Sequence, residues 1–201
     1  MGAMAARRLS AEDALGMVAR LCDAVAAHVA HGRSAPHAAL YAIYDACADS
    51  GHNRGAIGGT SRAIDGVLAA MASQLVDCGM MALYSLACDH AINQERIGDT
   101  TGAFGTMVAG MQAHAANIHV QTFGMQALDA LAHNHVGNQH RMRASQQLLR
   151  LVALAAEGGL HVGAKYDAGQ VLEALGLSPT QAHAAAAKVR CGRRYPCRTT
   201  P

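Results

Sequence analysis

Histidine is the residue type most able to do chemistry in this chain, which carries 12 of them. Imidazole binds transition metals and exchanges protons near neutral pH. Three close groupings stand out: His28 with His31, His114 with His119, and His133 with His135. Two histidines three residues apart on a helix can share a zinc ion, but a zinc site needs three or four ligands at recognised spacing. No His-Glu-x-x-His pair and no cysteine–histidine framework accompanies them. The six cysteines (Cys22, Cys47, Cys78, Cys88, Cys191, Cys197) are scattered without a Cys-x-x-Cys pair. Four lie in apolar helical patterns, where a thiol acts as a small hydrophobe. For nucleophilic catalysis there is no Gly-x-Ser-x-Gly elbow, and Cys78 or Cys88 reads as a buried apolar thiol. Gly55-Ala-Ile-Gly58-Gly59-Thr60 is glycine-rich but lacks the Gly-Lys-Ser/Thr ending of a phosphate loop. It reads as a connection between helices. These residues predict no catalytic residue, no metal site, no cofactor and no enzyme. A histidine-dependent metal-binding protein or enzyme is the alternative.

What must position any functional residue is a repeat. Gly79-Met-Met-Ala-Leu-Tyr-Ser-Leu-Ala-Cys-Asp-His-Ala-Ile-Asn-Gln-Glu-Arg-Ile97 returns 45 residues later as Gly124-Met-Gln-Ala-Leu-Asp-Ala-Leu-Ala-His-Asn-His-Val-Gly-Asn-Gln-His-Arg-Met142. Ten of the nineteen positions are identical, among them His90/His135, Asn93/Asn138 and Arg96/Arg141. A period in the forties filled with helix formers is the mark of a stacked helical array. Because His90 and His135 hold one repeat position, they read as structural: cations at the end of the third helix of a unit, where positive charge is favoured.

Composition agrees with an all-α fold. Hydrophobic residues make up 51% and charged residues 15%, enough for a core and too little charge for disorder. Aromatics are 3%, sparse for a sandwich or barrel. A net charge of +2 is too small to argue for nucleic acid or an anionic membrane. Unpaired cysteines suit a reducing compartment. Arg7-Arg8 is followed by Glu12 and Asp13 rather than an apolar run, and position 6 is Ala where a myristoylation signal needs Ser or Thr. No apolar run is long enough to span a membrane. The expectation is a soluble, intracellular, cytoplasmic protein.

The apolar spacing predicts a first helix from Ser10 to about His31, with Leu15, Val18, Leu21, Cys22 and Val25 on one face. A second runs from Pro36 to Asp49. Ser50-Gly51-His52-Asn53-Arg54-Gly55 reads as a loop holding extra residues. A short helix starts near Asn93, a second runs from about Thr101 to His114, and a third from Asn117 to His133 with Val120, Gly124, Ala127, Leu128 and Leu131 inward. The next copy starts at Asn138, Gly158-Gly159 loosens the pattern, and Ser178-Pro179 opens a final helix. The expected units are 10–50, 51–92, 93–137 and 138–176, with a terminal helix over 178–190. Segments 1–9 and 191–201 read as disordered, the latter basic through Arg193, Arg194 and Arg198.

Met111-x-x-His114-x-x-Asn117-x-x-Val120-Gln121-x-x-Gly124-x-x-Ala127-Leu128-x-x-Leu131-Ala132 resembles the armadillo-type repeats of protist armadillo proteins and of the armadillo region of leucine-rich-repeat kinases. The resemblance covers about residues 70–157. It implies a right-handed α-solenoid of about four three-helix units, a concave groove lined by the third helices, and no enzymatic activity. The nuclear-import receptors and catenin-like members carry Trp and Asn on the third helix. Met81 and Gln126 stand at the Trp-like positions here, and Ser85 and Ala130 at the Asn-like ones. The resemblance therefore does not extend to receptors of nuclear-localisation signals.

The stripe Gln126, Asp129 and His133, at spacing i, i+3 and i+7, falls on one helix face. Its counterparts are Met81, Tyr84 and Cys88, then Tyr41 and Asp45. Tyr41, Asp45, Met81, Tyr84, Ser85, Gln126, Asp129 and His133 are the expected groove. The function that follows is a scaffold or interaction module holding a protein partner, with no nucleic acid or membrane, and with self-association through the repeat ends as a further outcome. A fragment of a larger scaffold or kinase would present the same residues.

Overall fold

The computed structural model describes residues 8–31, 36–60, 62–159 and 162–187. Every regular element among them is an α-helix, and twelve follow in order: α1 (Ala11–His31), α2 (Pro36–Ala48), α3 (Gly51–Gly58), α4 (Ala63–Ala72), α5 (Val76–Ala87), α6 (Ala91–Asp99), α7 (Ala103–Ala113), α8 (Ile118–Ala132), α9 (Val136–Ala144), α10 (Gln146–Ala156), α11 (Val162–Ala174) and α12 (Pro179–Ala187). The tail 191–201 and residues 188–190 lie outside the described residues, as do residues 1–7. Leu9 corrects the expected disorder of 1–9: it packs on the core, and its N–H donates to Asn53 Oδ1 at 2.9 Å. No helix among the described residues is long and apolar enough to cross a membrane.

Capping side chains set many of the boundaries. Ser10 Oγ accepts from Asp13 N–H at 3.0 Å, and Asp13 Oδ2 accepts from Ser10 N–H at 3.2 Å, a reciprocal box that starts α1. Asn117 Oδ1 accepts from the His119 and Val120 N–H groups and starts α8. Ser178 and Gln181 repeat the reciprocal box ahead of α12, with Pro179 in its first turn.

Equivalent helices pack on one another. α3 contacts α6, and α6 contacts α9. α1 contacts α4, then α4 contacts α7, α7 contacts α10 and α10 contacts α12. α2 contacts α5, α5 contacts α8, and α8 contacts α11. Their shared interior is aliphatic: Leu21, Leu40, Ile43, Leu83, Leu86, Leu128 and Leu131 are all fully buried. Methionines fill the irregular gaps. The Met111 side chain lies so close to Gly124 that a Cβ there would stand 2.6 Å from its sulfur. On α1 the buried face is Ala14, Val18, Leu21 and Val25, whereas Leu15 is 57% exposed. The expected face therefore included Leu15 wrongly: it stands about 100° around the helix from Ala14.

The segment Ser50–Gly55 corrects the expected loop. It is the start of α3, and Ser50 Oγ accepts from Asn53 N–H at 3.2 Å as its N-cap. α6 and α9 begin the same way, one turn earlier than expected, with His90 and His135 as caps. Nδ1 of His90 accepts from Asn93 N–H at 3.2 Å, and Nδ1 of His135 accepts from Asn138 N–H at 3.1 Å. The expected cationic role at a helix C-terminus is thus overturned. A helix N-terminus offers unpaired N–H groups and needs an acceptor, so the ring nitrogen facing it is unprotonated. Burial, assisted by Arg54 and Arg96, holds the His90 pKa below its usual 6.5.

Each cap leads into a buried asparagine. Asn53 Nδ2 donates to Ala46 O at 2.8 Å, Asn93 Nδ2 to Leu86 O at 2.9 Å, and Asn138 Nδ2 to Leu131 O at 2.9 Å. The amides of Asn93 and Asn138 donate a second bond into the preceding short helix, to Arg54 O at 2.8 Å and Gln94 O at 2.9 Å. A glycine makes room each time: a Cβ on Gly58 would collide with the Asn93 side chain, and one on Gly98 with the Asn138 side chain. At the third such position stands Arg143, whose Nε donates to Leu175 O at 2.8 Å.

Two measurements test this account. Asn138→Ala strands two buried carbonyls and lowers unfolding free energy by about 2–4 kcal/mol in urea denaturation. Gly98→Ala is also destabilising alone, but the double variant loses less than the sum, with a coupling of about 1 kcal/mol or more, because Asn138→Ala vacates the space the new methyl needs. For His90 the folded-state pKa lies below the unfolded value of 6.5, so the folded chain binds fewer protons and loses stability as pH falls from that value. His90→Ser, which copies the Ser50 cap, weakens the acid dependence of the melting temperature across that window.

Candidate functional site

α2, α5, α8 and α11 lie side by side, and one stripe of each stays open. Tyr41 is 46% exposed on α2, with Asp45 exposed one turn on. Tyr84, Gln126 and Asp129 are half-buried and His133 is exposed at the end of α8. Two expected groove residues are corrected. Ser85 is buried, and its hydroxyl donates to Tyr44 O at 3.0 Å, so it fastens α5 to α2 rather than facing a partner. Met81 is 9% exposed and offers little surface.

The stripe reaches further than spacing suggested. The Tyr44 ring on α2 meets Phe123 on α8 edge to face, with centroids 6.4 Å apart and planes at 72°. α5 lies between those two helices in the packing order, so the rings meet across it. His119 stacks on Phe123 at 6.5 Å and 17°. Phe123 and His119 precede Gln126 by three and seven residues, so continuing the same stripe toward the N-terminus finds them. Asp167 on α11 completes the patch, near Asp129 and the Gln126 side chain.

This patch is electrostatically unsettled. Burial raises the Asp129 pKa above its ordinary 3.8, and nearby His133 opposes the rise. Burial and the neighbouring Asp129 charge both raise Asp167. Burial, together with Cys88 and more distant groups including Asp167, raises Tyr84. Carboxylates held in such surroundings favour a positively charged or hydrogen-bond-donating neighbour.

Tyr41 and Asp45 lie at another part of the face, where a second cluster forms. His37 in the first turn of α2 approaches Asp77 and Cys78 in the first turn of α5, and their ligand atoms all lie within 4.8 Å of one another. One Asp77 oxygen accepts from Cys78 N–H at 2.8 Å. Burial and Asp77 push the Cys78 thiol up to about 11, while nearby Tyr41 works against that rise. The expectation of no metal site rests on ligands close together along the chain, and these three are not. None of its histidine pairs joins such a group among the described residues. Cys47, by contrast, is a core thiol raised to about 12 by burial.

The Asp129 shift sets a direction for mutation. Its folded pKa lies above the unfolded 3.8, so its charged form is penalised by folding, and stability falls as pH rises from 3.8. Asp129→Asn melts higher than the parent protein at pH 7, and the gain disappears below pH 3.8, where both states are protonated.

Compared with known proteins, the chain matches no family model, no curated protein and no solved structure.

Proposed function

We propose that this chain is a protein-interaction module or scaffold: a small right-handed armadillo-like α-solenoid that holds a partner protein along the groove formed by the third helix of each unit. The observation that carries the reading is the Tyr44–Phe123 contact reaching across α5, beside Tyr84, Gln126, Asp129 and Asp167. Aromatic rings supply contact area at low entropic cost, and half-buried polar groups supply orientation. The 45-residue repeat supports the reading because stacking one unit on the next continues the same face from helix to helix. The low net charge of +2 favours a protein over nucleic acid or an anionic membrane.

Cross-linking in native extract followed by mass spectrometry tests it. The expected result is one reproducible partner whose cross-links fall around α5, α8 and α11. Tyr84→Ala combined with Asp129→Arg abolishes them while the helical circular dichroism is kept. Cross-links confined to α1, α4, α7 and α10, or unchanged in the double variant, refute the groove.

A further inference from the structure

The cluster of His37, Asp77 and Cys78 is separate from the Tyr84–Asp129 patch, and neither the repeat nor an interaction role explains it. The repeat does not carry it forward: Phe123 stands 45 residues after Cys78, and Thr122 stands 45 after Asp77. The three residues come from two helices and offer three different donors: an imidazole nitrogen, a carboxylate oxygen and a sulfur, all within 4.8 Å of one another. Ligands around a tetrahedral zinc ion stand about 3.3–3.8 Å apart, given bonds of about 2.0–2.3 Å. A small rotation of the two half-buried side chains, His37 and Asp77, closes that difference.

We propose that His37, Asp77 and Cys78 bind a zinc ion that ties the first turn of α2 to the first turn of α5, with a water molecule in the fourth position. Mixed nitrogen, oxygen and sulfur donors select zinc; calcium and magnesium take oxygen alone. Charge balances locally, because one carboxylate and one thiolate neutralise the divalent ion. Both anionic ligands sit in the first turn of α5, where the helix end stabilises negative charge. The sulfur–zinc bond replaces the sulfur–hydrogen bond, and the proton leaves to solvent.

The surroundings fit a held ligand set. Tyr41 stands close enough to Cys78 for each to influence the other's charge. The Cys78 N–H occupies one Asp77 oxygen, so the carboxylate is anchored while its other oxygen can turn to the metal. His37 also lines a cleft of about 700 Å³ with His28, Ser73 and Gln74, which gives the ion a route from solvent. Zinc here joins the first unit to the second at the Tyr41 end of the third-helix face, so metal and partner binding are open to coupling.

Cobalt(II) titration of the full chain, freed of any affinity tag and fully reduced, tests the site. The expected result is one equivalent of cobalt with tetrahedral visible bands and a thiolate charge-transfer band, all displaced by zinc. Cys78→Ser loses the charge-transfer band and Cys88→Ser keeps it. His37→Ala and Asp77→Asn each weaken zinc binding by at least about tenfold, and their circular dichroism reports whether the fold is intact. A charge-transfer band that survives Cys78→Ser, no saturable cobalt uptake, or zinc affinity unchanged in the folded His37 and Asp77 variants overturns the proposal.

Discussion

Backbone carbonyls shut inside the helix packing need donors, and that requirement organises this molecule. Asn93 and Asn138 each use one side-chain nitrogen to bind two backbone carbonyls, one near the end of α5 or α8 and one in α3 or α6. Those carbonyls belong to helix ends and a helix turn that would otherwise face dry interior. In a dry setting the cost of an unpaired carbonyl exceeds the net gain of an ordinary hydrogen bond. Apolar packing tolerates some sliding of one helix over another, but a pair of directed bonds does not. Each asparagine therefore sets the register between successive units, and Gln94 adds a further tie to Ala130 O at 2.7 Å.

With the register set, α2, α5, α8 and α11 pack in succession. Ala82, Ala87, Ala127 and Ala132 are fully buried, so the larger side chains of the same helices emerge together on one side. The Tyr44 and Phe123 rings meet edge to face on that side, close to Tyr84 of the intervening helix. The acids beside them are half-withdrawn from water by the same close packing. The half-buried rings and acids of this face thus follow from how tightly the helices behind them pack.

The sequence displayed the helical content, most third-helix core positions and the 45-residue echo, since these depend on local periodicity and identity. Reading failed where tertiary context overrides local preference. Ser50-Gly51-His52-Asn53 has the composition of a loop, yet it forms a helix because Asn53 finds its carbonyl on α2 and Ser50 supplies the cap. The Asn-to-Gly spacing in Asn53/Gly58 and Asn93/Gly98 is present in the sequence, but the asparagine that each glycine accommodates lies 35 to 40 residues further on. His90 and His135 are structural but neutral at the capping nitrogen, because the helices start one turn before the expected asparagines. The His37, Asp77 and Cys78 grouping spans two units at non-equivalent positions, so no motif search along the chain could reveal it. Ser85 carried no local sign that its hydroxyl would turn inward.

Arg143 stands where the two preceding units have glycine, and its guanidinium meets Leu175 O in place of an asparagine amide. Position 182, seven residues beyond Leu175, is alanine. The guanidinium therefore supplies the donor for Leu175 O that the asparagine amides supply for Leu86 O and Leu131 O.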